Sequence, residues 1–204
     1  EESHHLVRVR RARRGDRVHL LDGAGTVVEA VLENADSNSC ELRSERVWQY
    51  SRPEPALMLW IGIPKGKGFN SILQKATELG VQCIMPLQTE NCEVSLKREQ
   101  SAKKASRWEA TLIEALKQSG NPFLPVCGSP RSLAEGLESE EFQQPDFLPV
   151  AAALTEDSVN FHSLKQQVGA RPRGVHLFIG PEGDFSPQEY AALRDAGSRF
   201  LDLG

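Results

Sequence analysis

The rhythm of apolar and polar positions changes near Pro53 and Pro55. Before these prolines, Arg17–Asp22, Thr26–Leu32 and Cys40–Val47 read as short strands, with Asp22-Gly23 supplying a hairpin turn between the first two. Three or more strands in about fifty residues describe a small β module, expected as a compact barrel. After the prolines, strands alternate with helices. Ala56–Ile63 is an apolar strand; Asn70–Leu79 then sets Ile72, Leu73, Ala76 and Leu79 on one helical face, closed by Gly80. Cys83–Leu87 is the next strand, and a long helix follows from about Glu99 to Gln118. Ala105, Trp108, Leu112, Ala115 and Leu116 form its buried stripe.

Ser132 with Glu135 starts a short helix, and Phe147–Leu154 forms an apolar strand. Then come a helix at Phe161–Val168, a strand at Val175–Ile179, a helix at Ser186–Ala196 and a strand at Arg199–Leu203. This alternation predicts an α/β fold with a mostly parallel sheet covered on both faces. The expected division is residues 1–52, a β-barrel module, and residues 55–204, the α/β domain.

The most informative stretch runs from Val175 to Glu189, a buried-type strand entering a glycine-bracketed turn, Gly180-Pro-Glu-Gly183, and then a helix start. Ser186, Pro187 and Glu189 form a capping box with proline at the first helical position. In an open α/β sheet such a turn lies at the carboxyl end of its strand, where ligands bind. A plain tight connection, whose glycines serve only backbone angles, is the competing reading. The segment lacks the Gly-x-Gly-x-x-Gly pattern of a dinucleotide site. Gly62-Ile-Pro-Lys-Gly-Lys-Gly68 looks like a phosphate loop, yet it is one residue short, and Gly68 stands where a magnesium-binding hydroxyl belongs.

Composition narrows the class. With 204 residues, the chain can bury a substantial core, and no apolar run has the length of a membrane span. The opening Glu1-Glu2-Ser3-His4-His5 lacks the charge and apolar pattern of an export signal, so a cytoplasmic location is expected. Cys40, Cys83, Cys92 and Cys127 are scattered and read as reduced thiols; with five isolated or merely adjacent histidines they form no metal-ligand spacing, and no metal is expected. Cys83 reads as a small core residue. Cys92 as a nucleophile would need a base that the sequence does not identify.

The net charge of -4 argues against coating nucleic acid through global charge, but its distribution is uneven. Arg8, Arg10, Arg11, Arg13, Arg14 and Arg17 crowd one short segment expected at the edge of the β module. Such a run is either a solvated charged edge or a face for RNA or another polyanion. Arginine in place of lysine favours the second, because the guanidinium fork suits phosphates and base edges. Lys65 and Lys67, near the end of the Ala56–Ile63 strand, are surface charges placed to touch the same RNA.

His4-His5-Leu-Val-Arg-Val-Arg-Arg11, Gly15-Asp16 and Leu21-Asp22-Gly23 together resemble the N-terminal PUA-like module of the RsmE family, the 16S ribosomal RNA uridine N3-methyltransferases. Gln74-Lys75-Ala-Thr-Glu78-Leu79-Gly80-Val81, Pro86-Leu87 and Glu114-Ala-Leu-Lys-Gln118-Ser119-Gly120 are similar to that family's catalytic domain. Ile179-Gly-Pro-Glu-Gly183 and Leu203-Gly204 resemble its cofactor loops. These matches run in order across nearly the whole chain.

The resemblance implies a SPOUT-type α/β methyltransferase domain with a trefoil knot near its C-terminus, acting as a homodimer and binding S-adenosylmethionine in the knotted loops. The cofactor would contact Leu154, Ile179, Gly180, Pro181, Glu182, Gly183, Leu203 and Gly204. Arg8, Arg10, Arg11, Arg14, Lys65 and Lys67 would face RNA. The implied reaction is methyl transfer to N3 of a uracil in 16S rRNA or the assembled small ribosomal subunit. Glu182 is the only acid inside the loop motif, and its role stays open between bracing the loop and taking the N3 proton.

The chain departs from the family at Asp184, where a second glycine is usual, and at Arg10, where leucine is usual. The family continues beyond the position of Gly204 with an Arg-x-Leu-Arg-x-Glu-Thr-like segment and a helix, which are expected to follow here too. Two other readings compete: a non-catalytic RNA-binding protein, and a different SPOUT enzyme acting on tRNA. A small-molecule enzyme built on the Gly180–Gly183 turn alone is a third.

Overall fold

The structure, a computed structural model, describes residues 2–66, 68–92, 98–169 and 171–204. The chain folds as two compact units: Glu1–Arg52 with Gly120–Phe123, and Pro53–Ser119 with Leu124–Gly204.

The first unit opens with a helical turn, α1 (Glu2–His4), which widens into a π-helical turn at His5–Val9. Its antiparallel sheet has the order β1 (Arg17–Leu21), β2 (Thr26–Asn34), β3 (Glu41–Gln49). At the predicted hairpin, Asp22 Oδ1 accepts the backbone N–H groups of Ala24 at 2.7 Å and Thr26 at 2.9 Å. Residues 120–123, remote in sequence, complete this unit. The Gly25 N–H donates to the Pro122 carbonyl at 3.0 Å, and the Arg52 guanidinium lies 5.0 Å from the centre of the Phe123 ring. Non-local contacts of this kind leave no trace in local periodicity. The arginine run also differs from expectation. Arg8 lies in the π turn and Arg10–Arg14 in the following loop, and only Arg17 stands on the sheet edge.

The second unit is a seven-stranded sheet of order β6-β5-β4-β9-β7-β10-β8, parallel throughout. The strands are β4 (Ala56–Gly62), β5 (Cys83–Leu87), β6 (Val126–Cys127), β7 (Phe147–Ala152), β8 (Val159–Asn160), β9 (Gly174–Ile179) and β10 (Arg199–Asp202). The helices are α2 (Gly68–Glu78), α3 (Arg98–Ser119), α4 (Leu133–Leu137), α5 (Phe161–Val168) and α6 (Pro187–Asp195). β6 and β8, two residues each, are too short to show a period in the sequence.

Alternate residues of the longer strands enter opposite cores, as a sheet covered on both faces requires. Met58 and Trp60 of β4 pack with Met85, Phe178, Leu133 and Leu193, under α4 and α6. Leu59 and Ile61 pack on the other side with Phe69, Leu73, Trp108 and Leu112, under α2 and α3. Trp108 is 5% exposed and 4.6 Å from the Phe69 ring, which makes it a core residue, and Cys83 is buried as expected. The predicted capping box at Ser186 forms, and the helix start at Ser132 proves to be one too: the Ser132 hydroxyl accepts from Glu135 N and the Ser186 hydroxyl from Glu189 N, each at 3.2 Å, with Pro187 opening α6.

Candidate functional site

The carboxyl ends of the parallel strands gather the loops that carry the candidate chemistry. Across the sheet, Ile61, Ile179, Ala152 and Leu201 form one continuous row of partners. The loops leaving β9, β7 and β10 therefore emerge side by side. Leu154 and Leu203 each follow two residues beyond the paired Ala152 and Leu201, and the two residues are 81% and 67% exposed. β7 ends before Leu154 and β10 before Leu203, so both leucines belong to loops and not to the strands in which the pattern placed them.

The Gly180–Phe185 turn is clamped from three directions. Gly62, the last residue of β4, carries no side chain because a Cβ there would lie 2.5 Å from both Cδ and N of Pro181. The Glu182 carboxylate accepts the backbone N–H of Lys65, with Oε1 at 3.1 Å and Oε2 at 3.4 Å. From the loop after β5, Asn91 Nδ2 donates to the carbonyls of Gly183 at 2.9 Å and Asp184 at 3.0 Å. Glu189, buried at the start of α6, accepts from Glu90 N at 3.1 Å and Ser186 N at 2.9 Å, tying the same loop to the helix.

Gly180 and Gly183 do not have positive φ; Asp184 does, at 60°. The two glycines are needed because their own chain crowds them: a Cβ on Gly180 would sit 3.1 Å from the Asp184 Cα, and one on Gly183 would sit 3.1 Å from the Asn91 Cβ. Neither glycine is there for its backbone angles, and a side chain at Gly180 would first strike Asp184 and Phe185.

The loop after β7 is also held. Asp157 receives a two-pronged hydrogen bond from Arg194 of α6, Nη2 at 3.0 Å and Nε at 3.1 Å, and a third from the Thr155 hydroxyl at 2.7 Å. Arg194, then Thr155, hold the Asp157 carboxyl far below the usual carboxylate range. Burial, aided by the Asp184 carboxylate, raises the Tyr190 phenol well above its ordinary value, so it stays a proton donor. The Cys92 thiol faces the carbonyls of Ile63 at 3.5 Å and Leu87 at 3.6 Å. Burial and the neighbouring Cys83 push the Cys127 thiol up to about 12.

The structure thus brings Leu154, Ile179, Gly180, Pro181, Glu182, Gly183, Leu203, Gly204 and Lys65 to one end of the second unit. Lys67 lies outside the described residues. Arg8, Arg10, Arg11 and Arg14 belong to the first unit, where they make no ion pair among the described residues. Arg17, by contrast, is engaged by Glu29 at 2.8 Å and Glu45 at 3.0 Å. Sequence reasoning missed Asn91, Gly62 and Glu189 as supports of the turn. Their one signal was position, since Gly62 and Asn91 lie at or just past strand carboxyl ends. Among the described residues no group of three or more His, Cys, Asp or Glu could hold a metal ion, and no helix is long and apolar enough to cross a membrane.

An antiparallel N-terminal module followed by a parallel sheet, with the clamped loops at its carboxyl end, is an α/β architecture shared with structural neighbours of the SPOUT-type methyltransferase class. Residues 52–204 match the RNA methyltransferase domain and residues 1–43 the RNA methyltransferase PUA domain, so the chain belongs to this RNA methyltransferase family. It is similar to the ribosomal RNA small subunit methyltransferase E of a Synechocystis strain, with 32% identity covering 98% of this chain and 64% of that protein. The chain thus spans just under two thirds of that relative's length. The Bacillus subtilis protein of the same name is 29% identical, covering 100% of this chain and 80% of its own. Among solved structures, a Legionella pneumophila methyltransferase in complex with bound SAM has a TM-score of 0.85 at 29% identity, covering 99% of this chain and 80% of that one.

Proposed function

We propose that this chain carries out S-adenosylmethionine-dependent methylation of N3 of a uridine in 16S rRNA, within the small ribosomal subunit or its free RNA. The observation that carries the reading is the row Ile179, Ala152, Leu201, which sets the expected cofactor loops next to one another. Relatives named for small-subunit rRNA methylation, and a similar structure holding SAM, support it.

The residues suit the cofactor. Leu154 and Leu203 expose apolar surface of the kind an adenine and a methionine chain require, and the turn is partly exposed at Gly180 and Pro181 and exposed at Glu182 and Gly183. S-adenosylmethionine, when bound, supplies an electrophilic methyl group. The chain's part is to align uracil N3 with that group while N3 gives up its proton, so that the new N–C bond forms as the C–S bond breaks. Arg8, Arg10, Arg11 and Arg14, exposed and without carboxylate partners among the described residues, would hold RNA phosphates. Lys65, whose backbone N–H donates to Glu182, is the proposed RNA contact at the sheet's end, and Lys67, outside the described residues, is proposed with it from the sequence alone. A homodimer is part of this reading. Phe161, 69% exposed next to the edge strand β8, offers it an apolar surface.

The test is calorimetric titration of S-adenosylmethionine, followed by transfer of labelled methyl to purified 16S rRNA, small subunits and tRNA. Label on small-subunit RNA at a uracil whose Watson–Crick edge then stops reverse transcription is the expected result. Label on tRNA alone would point to a different SPOUT enzyme. RNA binding without cofactor binding would reduce the chain to an RNA-binding module.

A further inference from the structure

We propose that Glu182 is a positioning residue that latches the loop after β4 to the cofactor turn, and that it is not the acceptor of the N3 proton. This inference rests on the methyltransferase reading above and assigns a role within that site.

Glu182 is the only acid between Gly180 and Gly183, which makes it the natural candidate for a base. Its geometry argues otherwise. Both carboxylate oxygens are turned to the same backbone N–H, that of Lys65, at 3.1 and 3.4 Å. The Lys65 N–H thereby sets the direction of the carboxylate toward the loop after β4, which is the geometry of a brace between two backbone segments. The contact spans 117 positions of sequence, so it serves tertiary placement and not local turn formation.

The latch acts where the turn has least freedom. On the residue before it, Pro181 is seated against Gly62, at the end of the strand that leads to Lys65. On the residue after it, Gly183 is held through its carbonyl by Asn91. Glu182 thus lies between two fixed points, and its side chain joins the loop after β4 to them. Lys65, a proposed RNA contact, is the residue whose backbone it holds. RNA engagement at Lys65 and cofactor engagement at the turn are thereby mechanically joined, and loss of the latch weakens both.

A base and a latch respond differently to Gln and Ala. Glutamine keeps one carbonyl acceptor for the Lys65 N–H but cannot take a proton, whereas alanine removes the acceptor. The experiment compares the parent protein, Glu182→Gln and Glu182→Ala by three readouts: hydrogen exchange of the Lys65 amide, S-adenosylmethionine affinity, and the pH profile of methyl transfer. The expected result is that Glu182→Gln retains amide protection, cofactor affinity and the shape of the pH profile. Glu182→Ala should lose protection and bind cofactor about threefold to tenfold more weakly, as the loss of one exposed charge-assisted bond implies. Unchanged Lys65 exchange in Glu182→Ala would overturn the latch. So would a Glu182→Gln protein as inactive as Glu182→Ala with cofactor affinity intact, the signature of a base. A parent that binds no S-adenosylmethionine would sink the cofactor reading instead, while Lys65 exchange would still decide the latch.

Discussion

Tyr190 donates its phenolic hydrogen to Asp184 Oδ1 at 2.7 Å, and the Asp184 it holds has its backbone in the left-handed region, at φ 60°. The same oxygen accepts the Phe185 N–H at 2.8 Å. A side chain that bonds the next residue's amide is how aspartate tolerates a conformation that suits glycine. Asp184, at the position where the resemblance led us to expect glycine, thus holds a left-handed backbone with its own side chain, which also serves as a strut to α6.

Asp184→Gly should therefore leave stability within about 1 kcal/mol of the parent, relief of strain offsetting two lost hydrogen bonds, while Asp184→Val should cost about 2 kcal/mol or more. Tyr190→Phe should cost about 1 kcal/mol in the parent and almost nothing in the Asp184→Gly background. Urea unfolding of these five proteins checks this, and strict additivity of Asp184→Gly and Tyr190→Phe would refute the strut.

Gly62→Ala places a methyl 2.5 Å from Pro181 backbone nitrogen, which cannot swing aside as a flexible side chain would. A loss of about 1–3 kcal/mol in stability is expected, with weakened S-adenosylmethionine binding because the turn must shift. Gly68→Ala, whose methyl meets nothing nearer than 3.3 Å at the start of α2, is the control. Equal cofactor affinity in Gly62→Ala and the parent would separate the Pro181 seat from the pocket.

His176 sits 1% exposed beneath Trp60, whose Nε1–H donates to His176 Nδ1 at 3.1 Å. Burial lowers its pKa to about 4, with the Phe142 backbone partly opposing the shift. The unfolded chain binds this proton near pH 6.5 and the folded chain only near 4. The stability tied to the neutral ring is complete above pH 6.5 and is lost progressively as pH falls toward 4, to a total of about 3 kcal/mol. Urea midpoints between pH 7.5 and 4.5 should fall more steeply for the parent than for His176→Phe, though that variant starts less stable because the Trp60 N–H loses its acceptor. Parallel slopes would mean that other groups govern acid sensitivity.

Arg11→Glu combined with Arg14→Glu should weaken RNA binding and leave S-adenosylmethionine affinity unchanged, since these arginines belong to the first unit. Each phosphate contact removed should flatten the dependence of log affinity on log salt by roughly 0.7 to 0.9. Arg17→Glu should add less than either, because Arg17 is already engaged by Glu29 and Glu45. Salt-independent binding by the parent would remove the arginine patch from the RNA face.

What the chain determined by itself is local. Period and caps placed each long strand and helix, because burying a sheet on both faces demands continuous apolar runs such as Ala56–Gly62, and because Ser186, Pro187 and Glu189 satisfy helix-end amides within four residues of one another. The glycine-bracketed turn was visible for the same reason. Tertiary structure alone decided the strand order, and with it the adjacency of the loops after β7, β9 and β10, since parallel pairing joins segments that no periodicity connects. It also decided what the turn's residues do. Gly62 makes room for Pro181, Asn91 holds Gly183 and Asp184, and Glu182 reaches Lys65, each contact closing a loop of many residues whose partner only the packed sheet brings within reach.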